Sequence, residues 1–569
     1  MRVTYMGAIQ YKNFEQLSLA DIMVYNSIPP HPFWDKVNEV IDFSFADKIC
    51  EPLYSPIGQR PYAPSLKLKI HLVQRYYDIS DREMELKIIG DIFVKRFLGL
   101  PVAHSKFDHS TIGLDRDRLG AEMFHACHVF ILAQALHKGL WGEEDDRWLV
   151  DSFHTNARVS TPGTFELIQQ AAGRLVRYVE KHNPTAYERI TQEMDVQKLS
   201  QKLKNSATKR DRDLAFSELV VQSYGLVAWF RRINEDKESR WASEEEQRTA
   251  KELCELLLRI LRENTTGSPD GGNKEDGEML DSGDELRPAS DEGTPVYVEL
   301  PKDKKPTDRI VNAFAPEIRA GFKSSKKSFV GDKVQVVESA KSRLVLLAEP
   351  IAGNEPDGAA IVDLVQMVSE EFGVRPKEVV ADKGYAWGKN FQQMALRGQR
   401  LVTPVPHFTN PTGKIPNTEF RYDPEQQTVT CPQGQTTSHT TRIAKSEGRQ
   451  FKFPHATCEA CPLKEECVGS QKAGNKFGRT VFVSDYAPFV EEVRAYLQTP
   501  EGKAALQARY EIERTNNEFK NPHGLAKPRA RTRSKLRTTV KLTSIVINMK
   551  VMVKSLTRPP KPQGAPVCA

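Results

Sequence analysis

Two aspartates in this chain lie in short apolar segments, where a carboxylate can be positioned to hold a metal ion. Asp151 lies in the run 148–153, and Asp382 ends the run 378–382. Phosphodiester cleavage by two metals needs carboxylates that converge on ions ~3.5–4 Å apart. Two neighbouring carboxylates repel each other unless a cation lies between them, so a close pair is itself an argument for a metal. Taken singly, each aspartate could equally cap the element that follows it.

A third acid lies in a stretch with regularly spaced cations. Glu513 follows Arg509 by four residues and precedes Lys520 by seven. On a helix these offsets place all three side chains on roughly one face. A metal-binding carboxylate would then be flanked by two cations that can hold DNA phosphates, although a salt-bridged surface helix gives the same spacing. Glu511 and Glu518 are rival third acids, but only Glu513 satisfies both spacings.

Four of the eight cysteines form a cluster, which consists of Cys431, Cys458, Cys461 and Cys467. Cys458 and Cys461 have the two-residue separation of a metal-binding knuckle, and a set of four thiolates suits structural Zn²⁺. The separations to the other two members are irregular, so free thiols remain the alternative. The cluster precedes the Glu513 segment, and we expect a small inserted module there.

The hydrophobic pattern predicts how these residues are positioned. The predicted elements are strands at 148–153, 329–337 and 344–351, a helix capped by Asp357 and running to Phe372, a strand at 378–382, a helix at 388–397 and a strand at 401–404. Without a helical insert after the first strand, this is the element order of a ribonuclease H-like fold, a mixed α/β sheet flanked by helices. The first and fourth strands are neighbours in such a sheet, so Asp151 and Asp382 can face each other.

The regions outside the sheet are predicted to be mostly helical. Residues 80–83 have the serine-to-glutamate spacing of a capping box, and a second helix start is predicted at Ser110. Short helices with tight turns suit a helix-turn-helix DNA-binding domain, but they suit any small helical domain as well. Residues 264–293 hold nine acidic and two basic residues with few apolar ones, which predicts a disordered linker.

Charge is distributed unevenly, although the net charge of +6 is modest. After Glu518 the chain has twelve basic residues and no acidic one, and a block of one sign beside a candidate active site indicates a phosphate-binding surface. Apolar residues at helical spacing within 540–553 favour core packing for that part. The predicted DNA contacts are Lys383, Arg509, Lys520, Arg529, Arg531, Arg533 and Arg537.

These motifs together resemble the DDE-type transposases of bacterial insertion sequences, in the group that includes the IS-four and IS-five-like families. The sequence Ala381–Tyr385 resembles the second-aspartate motif of these enzymes and is the most specific match. Val150 to Ser152 resembles the first-aspartate strand, and the Arg509, Glu513 and Lys520 spacing resembles the signature helix. That signature usually begins with a tyrosine three residues before the arginine, where this chain has Leu506.

The resemblance and the composition together predict a domain division: a helical DNA-binding domain (1–140), a ribonuclease H-like catalytic core (145–160, 308–408 and 485–556), a helical insert (161–263), an acidic disordered linker (264–307), a Cys-rich insert with the candidate zinc site (420–480) and a basic tail (557–569). The resemblance implies Asp151, Asp382 and Glu513 as catalytic ligands of Mg²⁺ or Mn²⁺. The expected partners are double-stranded DNA, both terminal inverted repeats and target, and further copies of this chain.

The resemblance leaves two alternatives open, which are a DNA-binding remnant without activity and a two-metal nuclease that cuts without joining. We expect a cytoplasmic protein, because the N-terminus has no signal pattern and no run of ~18 uncharged apolar residues is present. In that compartment the cysteines stay reduced.

Overall fold

The computed structural model describes most of the chain, with gaps in the linker and at the ends. The described residues are 9–12, 14, 17–55, 57–142, 147–200, 207–235, 241–267, 296–324, 327–405, 414–468 and 476–557. The predictions for the linker at 268–293 and for the basic tail at 558–569 therefore lie outside the described residues.

The N-terminal region is helical, as predicted. Its helices are α1 (Leu19–Ser27), α2 (Trp34–Val40), α3 (Phe45–Ile49), α4 (Pro64–Tyr77), α5 (Asp81–Gly90), α6 (Ile92–Leu98) and α7 (His109–His137). The predicted capping box is present, since the Ser80 N–H donates to the Glu83 carboxylate (2.7 Å) and the Glu83 N–H donates to the Ser80 hydroxyl (3.3 Å). Asp91 caps α6, accepting hydrogen bonds from the Phe93 and Val94 N–H groups, and so separates α5 from α6.

Helix α7 is long and apolar enough to cross a membrane by length and composition alone, and it is the one such helix within the described ranges. A core helix passes the same test. Phe124 and Ile131 of α7 are fully buried in the main hydrophobic core, and Gly120, at φ +65°, interrupts the helix midway. These contacts account for its composition by packing within the protein.

A four-helix insert follows the first strand and has a hydrophobic core of its own. The elements are β1 (Arg147–His154), then α8 (Thr164–His182), α9 (Pro184–Glu193), α10 (Lys209–Glu235), α11 (Glu244–Asn264), β2 (Thr265–Gly267) and β3 (Tyr297–Glu299). The predicted linker boundaries, 264 and 307, are wrong. Residues 264–267 end α11 and form β2, which pairs with β3, and residues 300–307 are described as well.

The central feature is a six-stranded mixed sheet with β1 at its centre. Its further elements are β4 (Arg319–Ser324), β5 (Lys327–Ser339), β6 (Val345–Ala352), α12 (Ile361–Phe372), β7 (Glu378–Ala381), α13 (Gly388–Leu396) and β8 (Arg400–Val402). Strand β1 pairs antiparallel with β5 and parallel with β7; β8 extends the parallel side, and β4 and β6 both pair with β5. Every strand predicted for the sheet is present, and β4 is an additional one.

The Cys-rich module folds as two small antiparallel sheets around its own apolar cluster. Its elements are β9 (Arg421–Asp423), β10 (Thr428–Thr430), β11 (Thr436–Thr437), β12 (Thr440–Ile443), β13 (Gly448–Pro454), α14 (His455–Glu459), α15 (Lys464–Cys467) and β14 (Phe477–Ser484). The module therefore has enough internal packing to be a separate unit along the chain.

The C-terminal helices return the chain to the sheet and to the N-terminal region. They are α16 (Ala487–Tyr496), α17 (Pro500–Ala508), α18 (Glu511–Lys520) and α19 (Arg533–Leu556). As predicted, 540–553 is core, with Ile545 and Met549 fully buried. The buried Asn548 carboxamide bonds both backbone groups of Val345 in β6 (2.8 and 2.9 Å) and lies 3.0 Å from His128 Nε2 of α7. Helix α19 thus joins the two regions in one core.

Candidate active site

The first two predicted acids lie at the same edge of the sheet because of strand register. In the parallel pair of β1 and β7, Val150 lies opposite Ala381. Asp151 and Asp382 each follow directly, so they are neighbours at the point where β7 ends, while β1 continues to His154. Asp382 then begins a tight turn, in which its Oδ1 accepts a hydrogen bond from the Gly384 N–H (2.7 Å). The sheet therefore brings these two carboxylates together.

The electrostatics of Asp151 reflect this crowding. Its pKa is raised to about 6, mainly by burial and also by the charges of Asp382 and Asp357, against the lowering effects of the Ser152 backbone N–H and of Arg509. The Asn516 amide on α18 donates to Asp151 Oδ2 (2.9 Å). A carboxylate that is hard to ionise beside other carboxylates gains most from a bound cation.

Asp357 is a third carboxylate at this edge, and sequence analysis assigned it the wrong role. Its Oδ1 accepts hydrogen bonds from the Ser152 hydroxyl and the Lys333 ammonium group, both at 3.0 Å. It does not cap α12, because that helix begins at Ile361 without a side-chain cap. An aspartate before a helical pattern looks like a cap in sequence, and only the distant partner Lys333 distinguishes the two roles.

The buried phenol of Tyr385 lies close enough to the three aspartates for their charges to affect its pKa. Tyr385 is fully buried directly after the Asp382 turn. Its pKa is raised well above the usual value by burial first, and then by the charges of Asp357, Asp151 and Asp382. All three carboxylates therefore act on Tyr385, although the one group of metal-ligand atoms within 4.8 Å of one another among the described residues lies elsewhere, at Glu85, Asp108 and His109. The tyrosine belongs to the Ala381–Tyr385 motif, but no site role was predicted for it.

The third predicted acid, Glu513, lies on α18 three residues before Asn516, which donates to Asp151. The buried residues of α18 are Ile512, Thr515, Asn516 and Phe519. Glu513 neighbours that face, with 57% of its side chain exposed, and its carboxylate lies 3.8 Å from Arg509 Nη2. Arg509 itself belongs to the short link between α17 and α18, not to α18. Because Arg509 also lowers the pKa of Asp151, it connects Glu513 to the sheet acids.

The two rival acids of α18 are engaged elsewhere. Glu511 lies 3.3 Å from Arg343 at the β5–β6 turn and 3.4 Å from Arg514. Glu518 accepts a hydrogen bond from Lys550 of α19 (2.8 Å). Both therefore form ion pairs with elements other than β1 and β7.

Some of the predicted DNA contacts are exposed around the site. Lys383 is exposed on the turn after Asp382, and Arg529 and Arg531 are exposed in the loop after α18. Lys520 lies near His154 at the end of β1, whose pKa is lowered by burial and then by Lys323, Lys520 and Lys327. The β4–β5 hairpin thus adds two lysines that the sequence did not single out.

Two other predicted contacts, Arg533 and Arg537, form ion pairs with acids of the protein itself. Arg533 Nε donates to the buried carboxylate of Asp332 (2.9 Å) and Arg533 Nη2 to the Glu317 carbonyl (2.7 Å). Arg537 Nε lies 3.0 Å from Glu349 of β6. The partners lie about two hundred residues away in sequence, so the basic run alone could not reveal these ion pairs.

The four clustered cysteines line one cavity of about 30 Å³, together with Arg479. The Cys458 thiol accepts a hydrogen bond from the Arg479 N–H (3.3 Å), and the Cys467 pKa is raised by burial and by the three other thiols. Among the described residues, the one group of metal-ligand types whose donor atoms all lie within 4.8 Å of one another is Glu85, Asp108 and His109, which includes none of these cysteines. The cysteines are therefore gathered but not closed around an ion.

Comparison with protein families shows what two segments of the chain are similar to. Residues 23–118 match a family described as a transposase domain (DUF772), and residues 430–553 match one described as a transposase DDE domain. The chain is a DDE-type transposase. No curated protein matches it. The second match contains the cysteine cluster and Glu513, whereas Asp151 and Asp382 of this transposase lie outside both matched segments.

Proposed function

We propose that this transposase binds the DNA ends of a mobile element and cuts and rejoins phosphodiester bonds with two divalent metal ions held by Asp151, Asp382 and Glu513. The observation that supports the proposal is the register of β1 and β7, in which Val150 pairs with Ala381, so that the next residues, Asp151 and Asp382, are neighbours where β7 ends. Carboxylates placed together in this way are the ligands that two-metal catalysis requires.

We further propose that the sheet and its helices are a ribonuclease H-like core. Along the path β6, β5, β1, β7 and β8, antiparallel pairing on one side of β1 changes to parallel pairing on the other. Helices α12 and α13 connect the parallel strands. This is the strand arrangement that the sequence predicted for that fold.

The donor set of the site suits Mg²⁺ or Mn²⁺, because it consists of carboxylate oxygens and no thiol or imidazole. Such ions activate water and neutralise charge on the phosphate that is attacked. The chain's own residues orient the ligands: Asn516 fixes Asp151 Oδ2, and Gly384 fixes Asp382 Oδ1. Arg509 neutralises part of the acidic charge. The carboxylates hold the metal ions in position and balance their charge, and none of them acts as a nucleophile.

The reaction also has consequences for assembly. Two ends of an element must be cut and joined together, so we propose that the transposase acts as an oligomer on double-stranded DNA, with a freed 3′-hydroxyl attacking the target. The exposed cations Lys383, Arg529 and Arg531 support DNA contact. Its place of action is then the cytoplasm, where bacterial DNA lies.

We propose a structural Zn²⁺ for the Cys-rich module. Four thiols that line one cavity, one of them accepting a backbone N–H, form a donor set that suits zinc, with Zn–S distances of ~2.3 Å after closure. Metal analysis of the purified protein should find one zinc per chain, and the variant Cys461→Ser should lose it. Purified protein without zinc would contradict the proposal.

The function is tested by strand cleavage on duplex DNA from the boundary of the element that carries this coding sequence. In Mg²⁺ the wild type should cut and join, while Asp382→Asn should bind the duplex but not cut it, since the amide keeps the size and removes the charge. Cutting without joining would instead indicate a nuclease. Binding without cutting by the wild type would indicate an inactive remnant, and cleavage by Asp382→Asn would refute the metal assignment.

A further inference from the structure

A basic cavity lies where the N-terminal region meets the catalytic sheet. It has a volume of about 370 Å³ and is lined by the α4–α5 turn at 78–81, by Arg158 just beyond β1, and by the loop 523–530 after α18. We call it the junction groove. Its lining includes five cations from four separate segments of the chain, namely Arg75, Arg116, Arg158, Lys527 and Arg529.

Two of these cations are neutralised by neighbouring acids. Arg75 pairs with Asp78 (2.7 Å), and Arg116 pairs with Asp81. Arg158, Lys527 and Arg529 are exposed, and none has a carboxylate within ion-pair distance among the residues that the structure describes. The lining therefore carries an excess of about three positive charges, which is an electrostatic preference for an anion.

The uncompensated arginines are held in place by backbone carbonyls. Arg158 Nε donates to the Lys527 carbonyl (3.2 Å), and Arg529 Nη2 donates to the Asp78 carbonyl (3.2 Å). Each guanidinium group thus uses one donor for positioning and keeps others for an oxyanion. A hydrogen bond to a neutral carbonyl fixes the side chain without cancelling its charge.

The junction groove is open and continues into a neighbouring cavity. A second cavity, of about 440 Å³, shares Arg158 and Lys527 with it and extends along Ala157 and Val159. A small anion would need a closed pocket, whereas an extended open groove with cations along it suits a polymer of phosphates.

The groove is also connected to the catalytic strand. Residues 155–157 continue from β1 along β5, with Thr155 N–H to the Asp332 carbonyl (2.8 Å) and Ala157 N–H to the Val330 carbonyl (2.9 Å). Arg158 follows Asp151 by seven residues, so it lies at most ~24 Å away at ~3.4 Å per residue. That span corresponds to about seven base pairs.

We infer that the junction groove binds the phosphate backbone of the DNA that is cut, with Arg158, Lys527 and Arg529 as phosphate contacts, so that one duplex touches the N-terminal region and the catalytic strand together. The inference rests on the proposed function for the identity of the DNA, and it adds Arg158, Lys527 and the N-terminal wall of the groove to the contact already predicted at Arg529.

The test measures binding in EDTA, which separates it from cleavage. A short fluorescent duplex from the element boundary is titrated with full-length protein over a range of KCl concentrations. The triple variant Arg158→Ala, Lys527→Ala, Arg529→Ala should bind at least tenfold more weakly, and its salt slope should fall by about 2–3 units, since each lost phosphate contact removes ~0.9. The matched control is Arg231→Ala, Arg232→Ala, Arg248→Ala, which removes the same charge from exposed positions of the helical insert.

Weaker binding and a smaller slope in the groove variant alone would support the inference. Equal losses in both variants would show a general charge effect and overturn it, as would unchanged binding in both. Because the readout needs no metal, loss of cleavage in the wild type would refute the proposed function without deciding this result. Thermal melting of both variants checks that the exposed substitutions leave the fold intact.

Discussion

Strand β1 and helix α18 supply opposite sides of the candidate site, and they position their acids by different means. Asp151 lies on the central strand, where backbone pairing on both sides and burial fix it. Glu513 lies on a helix with more than half of its side chain exposed, and the side-chain contact that relates it to the sheet acids runs through Arg509. Backbone pairing thus positions Asp151 on the strand. Glu513 on the helix is positioned instead by its contact with Arg509, a cation that can pair with other anions.

The two acids therefore differ in how freely their side chains can move. A buried carboxylate cannot move without disturbing the sheet, so its geometry is set when the protein folds. An exposed glutamate retains rotamer freedom and completes the site when metal and DNA reduce that freedom.

The largest expected effect is loss of cleavage in Glu513→Gln, by about 10³-fold, because a lost metal ligand removes several kcal/mol of transition-state stabilisation. Asp151→Asn should lose as much, despite the different environment. Single-turnover cleavage in Mg²⁺ measures both. Glu511→Gln is the matched control on the same helix and should cleave within about threefold of wild type; a reversed order of the two glutamates would move the third ligand to Glu511.

The second prediction is a pH dependence that belongs to the strand side. Because burial raises the Asp151 pKa to about 6, protons compete with metal below that pH, and Mn²⁺ affinity should fall about tenfold per pH unit below it. Calorimetric titration at pH 5 and pH 7 measures the effect. Asp151→Asn should bind weakly at both values and lose the dependence, and an unchanged affinity in the wild type would contradict the raised pKa.

The third prediction concerns the contact that joins the two sides. Asn516→Ala removes the donor to Asp151 Oδ2, so cleavage should drop about tenfold and the acid limb of its pH profile should move to higher pH. Asn517→Ala, exposed on the same helix, is the control and should show neither change. If both variants behaved alike, α18 would matter only through its packing.

The smallest effect is on stability. In the metal-free protein the Asp151 pKa rises from the usual 3.8 to about 6, so the folded state binds the proton more tightly than the unfolded state. The ionised group therefore opposes folding, by an amount that grows between pH 4 and pH 6 and reaches about 1–3 kcal/mol. Asp151→Asn should raise the free energy of unfolding in EDTA at pH 8 but not at pH 4, as measured with urea. Glu513→Gln should change it by less than about 0.5 kcal/mol at either pH.

The same contrast explains what the sequence could predict. The strand acids were found because an apolar run that ends in a carboxylate is a local pattern, and the capping box and the buried face of α19 were equally local. Asp357 was misassigned because its partners Ser152 and Lys333 come from other strands. Arg533 was placed on DNA because its true partner, Asp332, lies far away in sequence. The predicted linker boundaries, 264 and 307, were wrong because β2 pairs with β3 within that range.

The buried contact of Asn548 with Val345 and His128 has a consequence for the two family segments. Residues 119–429 separate them along the chain, yet α19 of the second segment packs beside α7, which begins inside the first, and against the sheet in a single core. Neither segment can be excised as an autonomous unit, because cutting between them exposes apolar surface and leaves the carboxamide without partners. The helical insert has a separate hydrophobic core, so we expect it to unfold separately. Calorimetry should record one melting event shared by the N-terminal helices and the sheet, and a second for the insert.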